Sequence, residues 1–135
     1  RLVQLYGKGQ PQDQVVQGNP LTYAQMATPA GLKAVAEYAN GVGPDKGYVI
    51  PRKPDGSLGE PTRFVTDAHA AGLKVHPYTF RAENQFLPTD LQRGSDPATR
   101  GDIEAELRAF LATGIDGLFI DQPDIAVRLR DAARH

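Results

Sequence analysis

The connections in this chain are lopsided. Short apolar runs that read as strands are followed by long polar stretches, Lys8 to about Ala27, Pro44 to Glu60 and Arg81 to Pro97. Each helix-like run, by contrast, returns to the next strand within one to three residues. Long connections are uncommon inside compact domains and tend to carry function. A (β/α) barrel has this asymmetry built in, because its βα loops form the active-site face while its αβ loops only turn the chain round.

The elements follow from local signals. Leu2 to Tyr6 is the first predicted strand, stopped by Gly7. Thr28-Pro29 reads as an N-cap followed by proline at the first helical position, and Leu32, Val35, Ala36 and Ala39 recur at helical spacing before the Asn40-Gly41 stop. A second short strand, Gly41 to Gly43, is broken by Pro44, and "KPDGSLGEP" marks Lys46 to Glu60 as loop. Thr62 to Ala71 is the next helix, with Phe64, Val65, Ala68 and Ala71 on one face and Gly72 as its end. Leu73 to Thr79 is the third strand, and a helix over roughly Gly101 to Thr113 carries Ile103, Leu107, Phe110 and Leu111. Asp116 to Ile120 is the fourth strand, and Asp124 to Ala133 the last helix, with Ile125, Val127 and Leu129 forming an imperfect stripe.

The order βαβαβαβα argues for parallel strands covered by helices. A complete eight-unit barrel takes about 250 residues and at least about 200, so four units in 135 residues make half of one. A small doubly wound sheet is the other reading, but no Gly-rich phosphate turn follows the first strand. A half-barrel leaves two strand edges and one side of its core open. The remaining barrel half, or a self-associated copy, is therefore an expected partner.

Composition removes other classes. Fifteen basic residues against sixteen acidic give a net charge of -1, which leaves no electrostatic footprint for nucleic acid. Cysteine is absent, which excludes disulfides, thiolate metal sites and cysteine nucleophiles. No run of about 18 apolar residues is present, so no membrane span is expected. No signal peptide is visible, and the chain opens on a strand-like run without Met, like a cut through a larger protein.

"LVQL", "AVAEYANGVGPD", "DAHAAGLKVHPYTFR" and "GIDGLFIDQPD" resemble the last four βα units of glycerophosphodiester phosphodiesterases, most of all the periplasmic bacterial branch. The resemblance covers residues 1–135 as part of one domain, in the correct order. It implies strands 5 to 8 of a TIM (β/α)8 barrel that hydrolyses glycerophosphodiesters to an alcohol and sn-glycerol 3-phosphate, as part of glycerol and phospholipid metabolism. It also implies a divalent cation, commonly Ca²⁺, and a periplasmic or secreted location. The family's "HRG" and "E-x-D" signatures occur nowhere in this sequence. No residue here inherits the catalytic histidine or metal-ligand roles, and the isolated chain is expected to be inactive. The family's "TDFPD" ending is also altered, to Ile120-Asp121-Gln122-Pro123-Asp124.

The expected contribution of this chain is a substrate wall made by Gln4, Tyr78, Arg81 and Phe119. Tyr78 stands two residues beyond His76, on the same side of its strand. The resemblance places an aromatic there against the glycerol moiety, with plain core packing as the alternative. Arg81 has the planar donor fork suited to phosphate oxygens, or it braces the loop against Glu83. Gln4 is polar in an apolar strand and needs a partner if buried, which points it toward the barrel mouth. Phe119 is a second aromatic wall or a core residue. Asp45, Glu83 and Asp121 lie near strand ends, but scattered carboxylates do not make the six to eight oxygens a Ca²⁺ shell needs, and Asp121 reads as a cap for the last helix. His76 reads as a supporting group, since neither His69 nor His135 makes an evident acid–base pair with it. Lys8, Lys46, Arg52 and Lys53 on the βα loops are candidates for attracting an anion.

Overall fold

The computed structural model describes residues 1–134; His135 lies outside them. Three parallel strands, β1 (Val3–Tyr6), β2 (Gly41–Pro44) and β3 (Lys74–Val75), lie side by side in chain order. Val3 pairs with Gly41 and Tyr6 with Pro44, while Gly41 and Val42 pair with Lys74 and Val75. Parallel neighbours need crossovers, supplied here by helices α1 (Gln12–Val16), α2 (Tyr23–Met26), α3 (Pro29–Ala36) and α4 (Phe64–Ala70). Helices α5 (Ile103–Ala112) and α6 (Pro123–Ala133) complete the chain. No helix among the described residues is long and apolar enough to cross a membrane.

The structure modifies several expectations. The connection from Lys8 to Ala27 contains two short helices, the second held by a capping box between Thr22 and Gln25. Pro44 does not break its strand; it is the last β2 residue and is buried. The third strand is regular only over Lys74–Val75, because Pro44 on β2 has no N–H to give the His76 carbonyl and Pro77, which faces residues 116–120, has none for that side. Hydrogen bonds nevertheless continue from His76 N to Val42 O and from Tyr78 N to Pro44 O. Residues 116–120 form no regular strand either. They run beside β3 through Asp116 N to Val75 O, Phe119 N to Pro77 O and a parallel bridge between Phe80 and Ile120.

Local chemistry explains where the helices start and stop. The Thr28 hydroxyl accepts from the Gly31 N–H at 3.1 Å, with Pro29 in the first turn. At the end of α4, Gly72 adopts φ +81, Leu73 N–H reaches the Ala68 carbonyl and Gly72 N–H the His69 carbonyl. This pair of bonds is the Schellman arrangement, which requires a left-handed residue and therefore favours glycine. Asp102 caps α5 by accepting from Ala105 N–H at 3.1 Å.

One face of the sheet packs against the helices. Tyr6, Val42 and Val75 are fully buried there with Leu32, Val65, Ala68, Leu107 and Phe110. The Tyr6 ring meets Phe64 edge-on at 5.8 Å, and its hydroxyl donates to the Met26 carbonyl. On the last helix Ile125 and Leu129 are buried one turn apart, whereas Val127 is exposed. The other face is open: Val3, Leu5 and Phe119 are about half exposed, and Leu5 lies over Gly43, where a Cβ would come within 2.7 Å of its Cδ2.

Candidate functional site

Chain direction decides where a site can form. Because the strands are parallel, their carboxyl ends share one rim, and the βα loops meet there. Gly7, Asp45, Tyr78, Arg81 and Asp121 all lie at or just beyond such an end.

Tyr78 pairs through its backbone with Asp45, while its hydroxyl donates to the Tyr6 carbonyl at 2.5 Å. The ring thereby spans the end of β2 and reaches β1. Tyr48 makes a parallel reach, donating to the Gly7 carbonyl at 2.6 Å. Burial pushes both phenols above their ordinary pKa, and the Asp45 charge adds to the effect. Both hydroxyls therefore stay protonated donors at neutral pH, fixed on backbone carbonyls.

Arg81 does not brace against Glu83. Its Nε donates to Asp121 Oδ2 at 2.9 Å, and its guanidinium lies 4.8 Å from the centre of the Phe86 ring. The expected capping role of Asp121 is accordingly overturned. Gln122 is the N-cap residue of α6, and no side chain caps that end. Gln122 instead accepts from Ala82 N–H at 3.1 Å, so one of the two residues that depart from the "TDFPD" pattern ties the last segment to the loop after β3. Arg81 and Asp121 occupy matching places after adjacent parallel segments, a signal present in the sequence once those two segments are aligned.

Phe119 is 48% exposed on the open face. Its neighbours in the chain, Leu118 and Ile120, pack against the core. Gln4 lies elsewhere. It shares the helix-facing side of β1 with Tyr6, its Oε1 accepts from the Tyr38 hydroxyl at 2.9 Å, and its Nε2 donates to the Leu5 carbonyl. The expectation that it points into the mouth is corrected by that bond. The structure thus brings Tyr78, Arg81 and Phe119 onto neighbouring segments and leaves Gln4 with the helices.

His76 is half-buried beside Gly117, where an added Cβ would lie 3.0 Å from its Nε2. It lines a cavity of about 370 Å³ at the amino ends of the strands, with Val3, Gly41, Lys74 and Asp116 among its other walls. His69 is engaged separately, with Nε2 2.7 Å from Asp116 Oδ2. His135 lies outside the described residues.

No three His, Asp or Glu side chains converge among the described residues. Asp45 accepts from Gly47 N–H, Asp121 holds Arg81, and Glu83 lies 3.5 Å from Gln122. These donors do not fit a Ca²⁺ shell, and no step through a cation follows from them. Sequence reasoning missed one buried acid: Glu106 on α5 is fully buried and receives Lys46 Nζ at 2.7 Å. Its place one turn before Phe110 and beside Leu107, in the apolar stripe, was the available signal.

Residues 1–125 match the model of the glycerophosphoryl diester phosphodiesterase family. Glycerophosphodiester phosphodiesterase GDPD6 of Arabidopsis thaliana is 39% identical over 100 residues, covering 74% of this chain. The chain spans about a quarter of that relative, 25% of its length. A parallel α/β sheet whose polar residues meet at the carboxyl rim fits both matches, and the chain belongs to the glycerophosphoryl diester phosphodiesterase family.

Proposed function

We propose that this chain is the strand 5 to 8 half of a TIM-barrel enzyme that hydrolyses glycerophosphodiesters to an alcohol and sn-glycerol 3-phosphate. In this reading residues 1–135 supply a substrate wall, and the groups that perform the chemistry stand on the other half of the barrel. The observation that carries it is the gathering of Tyr78, Arg81 and Asp121 at the carboxyl ends of parallel segments, in a chain matched by the family over residues 1–125.

Each residue has a task set by its surroundings. Tyr78 offers the face of a ring whose hydroxyl is already bonded, so it shapes the pocket rather than moving a proton. Among the described residues Arg81 keeps NH groups free beyond the Nε bond to Asp121, and a guanidinium fork suits two phosphate oxygens. Phe119 offers apolar surface on the open face. A divalent cation, Ca²⁺ by resemblance, would neutralise phosphate charge and polarise a P–O bond, with its ligands outside this chain. The periplasmic or secreted location implied by resemblance gains nothing from a plant relative, and the proposed reaction does not require it.

The test is turnover of glycerophosphocholine with Ca²⁺. The pure chain should be inactive, and activity should appear when it is joined to a segment carrying the "HRG" and "E-x-D" residues. Turnover by the pure chain would defeat the division of labour. The half-exposed Val3, Leu5 and Phe119 favour a second reading, a non-catalytic half-barrel that binds phosphoesters weakly or associates with its own copy. Sedimentation of the chain decides it, since a stable monomer excludes self-association.

A further inference from the structure

The four parallel segments leave two edges open. β1 pairs with β2 alone. Residues 116–120 bond through their backbone only to the chain from Val75 to Phe80, and the Leu118 and Ile120 N–H groups donate to nothing among the described residues. An open edge is a template for another strand. Between the two edges lies the open face, where Val3, Leu5 and Phe119 are each about half exposed. The surface is large for the mass: the chain exposes 7955 Å², about 1,000 Å² more than a folded monomer of 14.6 kDa ordinarily does. Stable interfaces take roughly 800 Å² from each partner, so the surplus is the size of one complete interface.

Charge selects which edge meets which. Arg1 and Lys8 flank β1, whereas Asp116 and Asp121 flank the other edge. Among the described residues neither Arg1 nor Lys8 has an acidic partner. Asp121 Oδ1 is unpartnered among them too, and Asp116 Oδ1 has only Lys74 Nζ at 3.6 Å. Two copies can join their edges in two ways. A two-fold axis across the strands sets each edge antiparallel to its own copy, Arg1 against Lys8 and Asp116 against Asp121, which is repulsive at both junctions. A two-fold axis along the strands sets β1 of each copy parallel to residues 116–120 of the other. Basic residues then meet acidic ones at both ends of both junctions, and a single added copy closes every edge.

We propose that the open face takes a second copy of this chain in the second way, β1 of one protomer beside residues 116–120 of its partner, to close an eight-stranded parallel barrel. Eight strands enclose a space that side chains just fill. On the open face Leu5 lies over Gly43 and His76 beside Gly117, so bulk alternates with glycine and the two halves have room to interdigitate. The proposal rests on the self-association reading given above and supplies its surface and symmetry. A second copy and the proposed catalytic half compete for the same face.

The chain has no cysteine, so introduced thiols report the junction cleanly. Sedimentation of the 135-residue chain should show a dimer at micromolar concentration. Val3→Cys, Leu5→Cys and Phe119→Cys proteins, each oxidised alone, should form no cross-link, because the two copies of one edge lie on opposite sides of the barrel. Phe119→Cys mixed with either of the others should cross-link, since thiols on the same face of adjacent strands fall within the roughly 4.4–6.8 Å Cα spacing that a disulfide allows. Arg1→Glu combined with Lys8→Glu reverses the sign at both ends of β1 and should weaken the dimer about tenfold or more, with the monomer fold intact. A monomeric wild-type chain overturns the proposal together with self-association and leaves the hydrolase reading standing. A dimer whose single variants cross-link to themselves, which gives no mixed cross-link, or which is indifferent to the charge reversal overturns this closure alone.

Discussion

Two ion pairs sit at strand ends in this fold and live in different media. Lys46–Glu106 is sealed, with side chains 17% and 1% exposed, whereas Arg81–Asp121 is open, at 41% and 52%. Their lengths are nearly the same, 2.7 and 2.9 Å, so geometry alone does not tell them apart. Burial does. A sealed pair has surrendered its hydration and depends on its partner, while an open pair keeps water as an alternative. The first is thus part of the frame, and the second is the pair that, in the proposed function, exchanges its carboxylate for a substrate phosphate.

The sharpest way to break the comparison is to remove one member of the sealed pair. Lys46→Met should leave Glu106 as an uncompensated buried charge and destabilise the fold by about 3–5 kcal/mol. Replacing both, Lys46→Met with Glu106→Leu, should recover most of that loss, because a hydrophobic pair of similar volume avoids the desolvation cost. Urea unfolding of the three proteins measures it. A Lys46→Met loss no larger than that of an exposed pair would show that water reaches Glu106 in solution.

A third pair lies between these extremes. Asp116 Oδ2 receives His69 Nε2 at 2.7 Å and the Val75 N–H at 2.9 Å, and Lys74 Nζ stands 3.6 Å from Oδ1. Burial would raise its pKa, but the His69 and Val75 hydrogen bonds and the nearby positive charges outweigh it and hold the carboxyl below its ordinary 3.8. A depressed folded pKa means that the unfolded chain takes up the proton first as pH falls. The contribution of Asp116 is therefore complete above about 3.8 and is lost as pH drops through the lower folded value. Asp116→Asn should cost about 1–2 kcal/mol at neutral pH through weakened hydrogen bonds, and it should flatten the acid limb of the stability profile. An unchanged acid limb would mean that the His69–Asp116 contact does not persist in solution.

What was legible in the sequence was what is decided locally. The Thr28-Pro29 start, the Gly72 stop and the apolar stripe of α5 each rest on residues within a turn of one another, and each stands where expected. The parallel order followed from the alternation of elements. What escaped was decided at a distance. Asp121 looks like a cap because its local context, "D-x-P-D", is that of a cap, but Arg81, forty residues earlier, wins its carboxylate. Glu106 looks like one of several surface acids on α5 until Lys46, sixty residues away, is brought under the helix. Gln4 was assigned to the mouth because only its polarity was visible; Tyr38, its partner, follows a helix whose packing no period in β1 records. The two later strands were overextended because their apolar residues continue past the points where Pro44 and Pro77, each without an N–H, interrupt the ladders on either side of β3.

Arg81→Ala is the smallest expected change in stability and the most telling one for function. An exposed pair of this kind contributes about 0–1 kcal/mol, so the unfolding midpoint should scarcely move, in contrast to Lys46→Met. If the guanidinium takes phosphate as proposed, the same substitution in the complete barrel should raise KM for a glycerophosphodiester about tenfold, the loss of one charge-assisted contact. Asp121→Asn then separates the two uses of Arg81. Freed from its carboxylate, Arg81 should hold phosphate at least as well as before, so KM should stay level or fall. A rise in KM in Asp121→Asn equal to that in Arg81→Ala would show instead that Asp121 aims Arg81, making the open pair as much a frame as the sealed one.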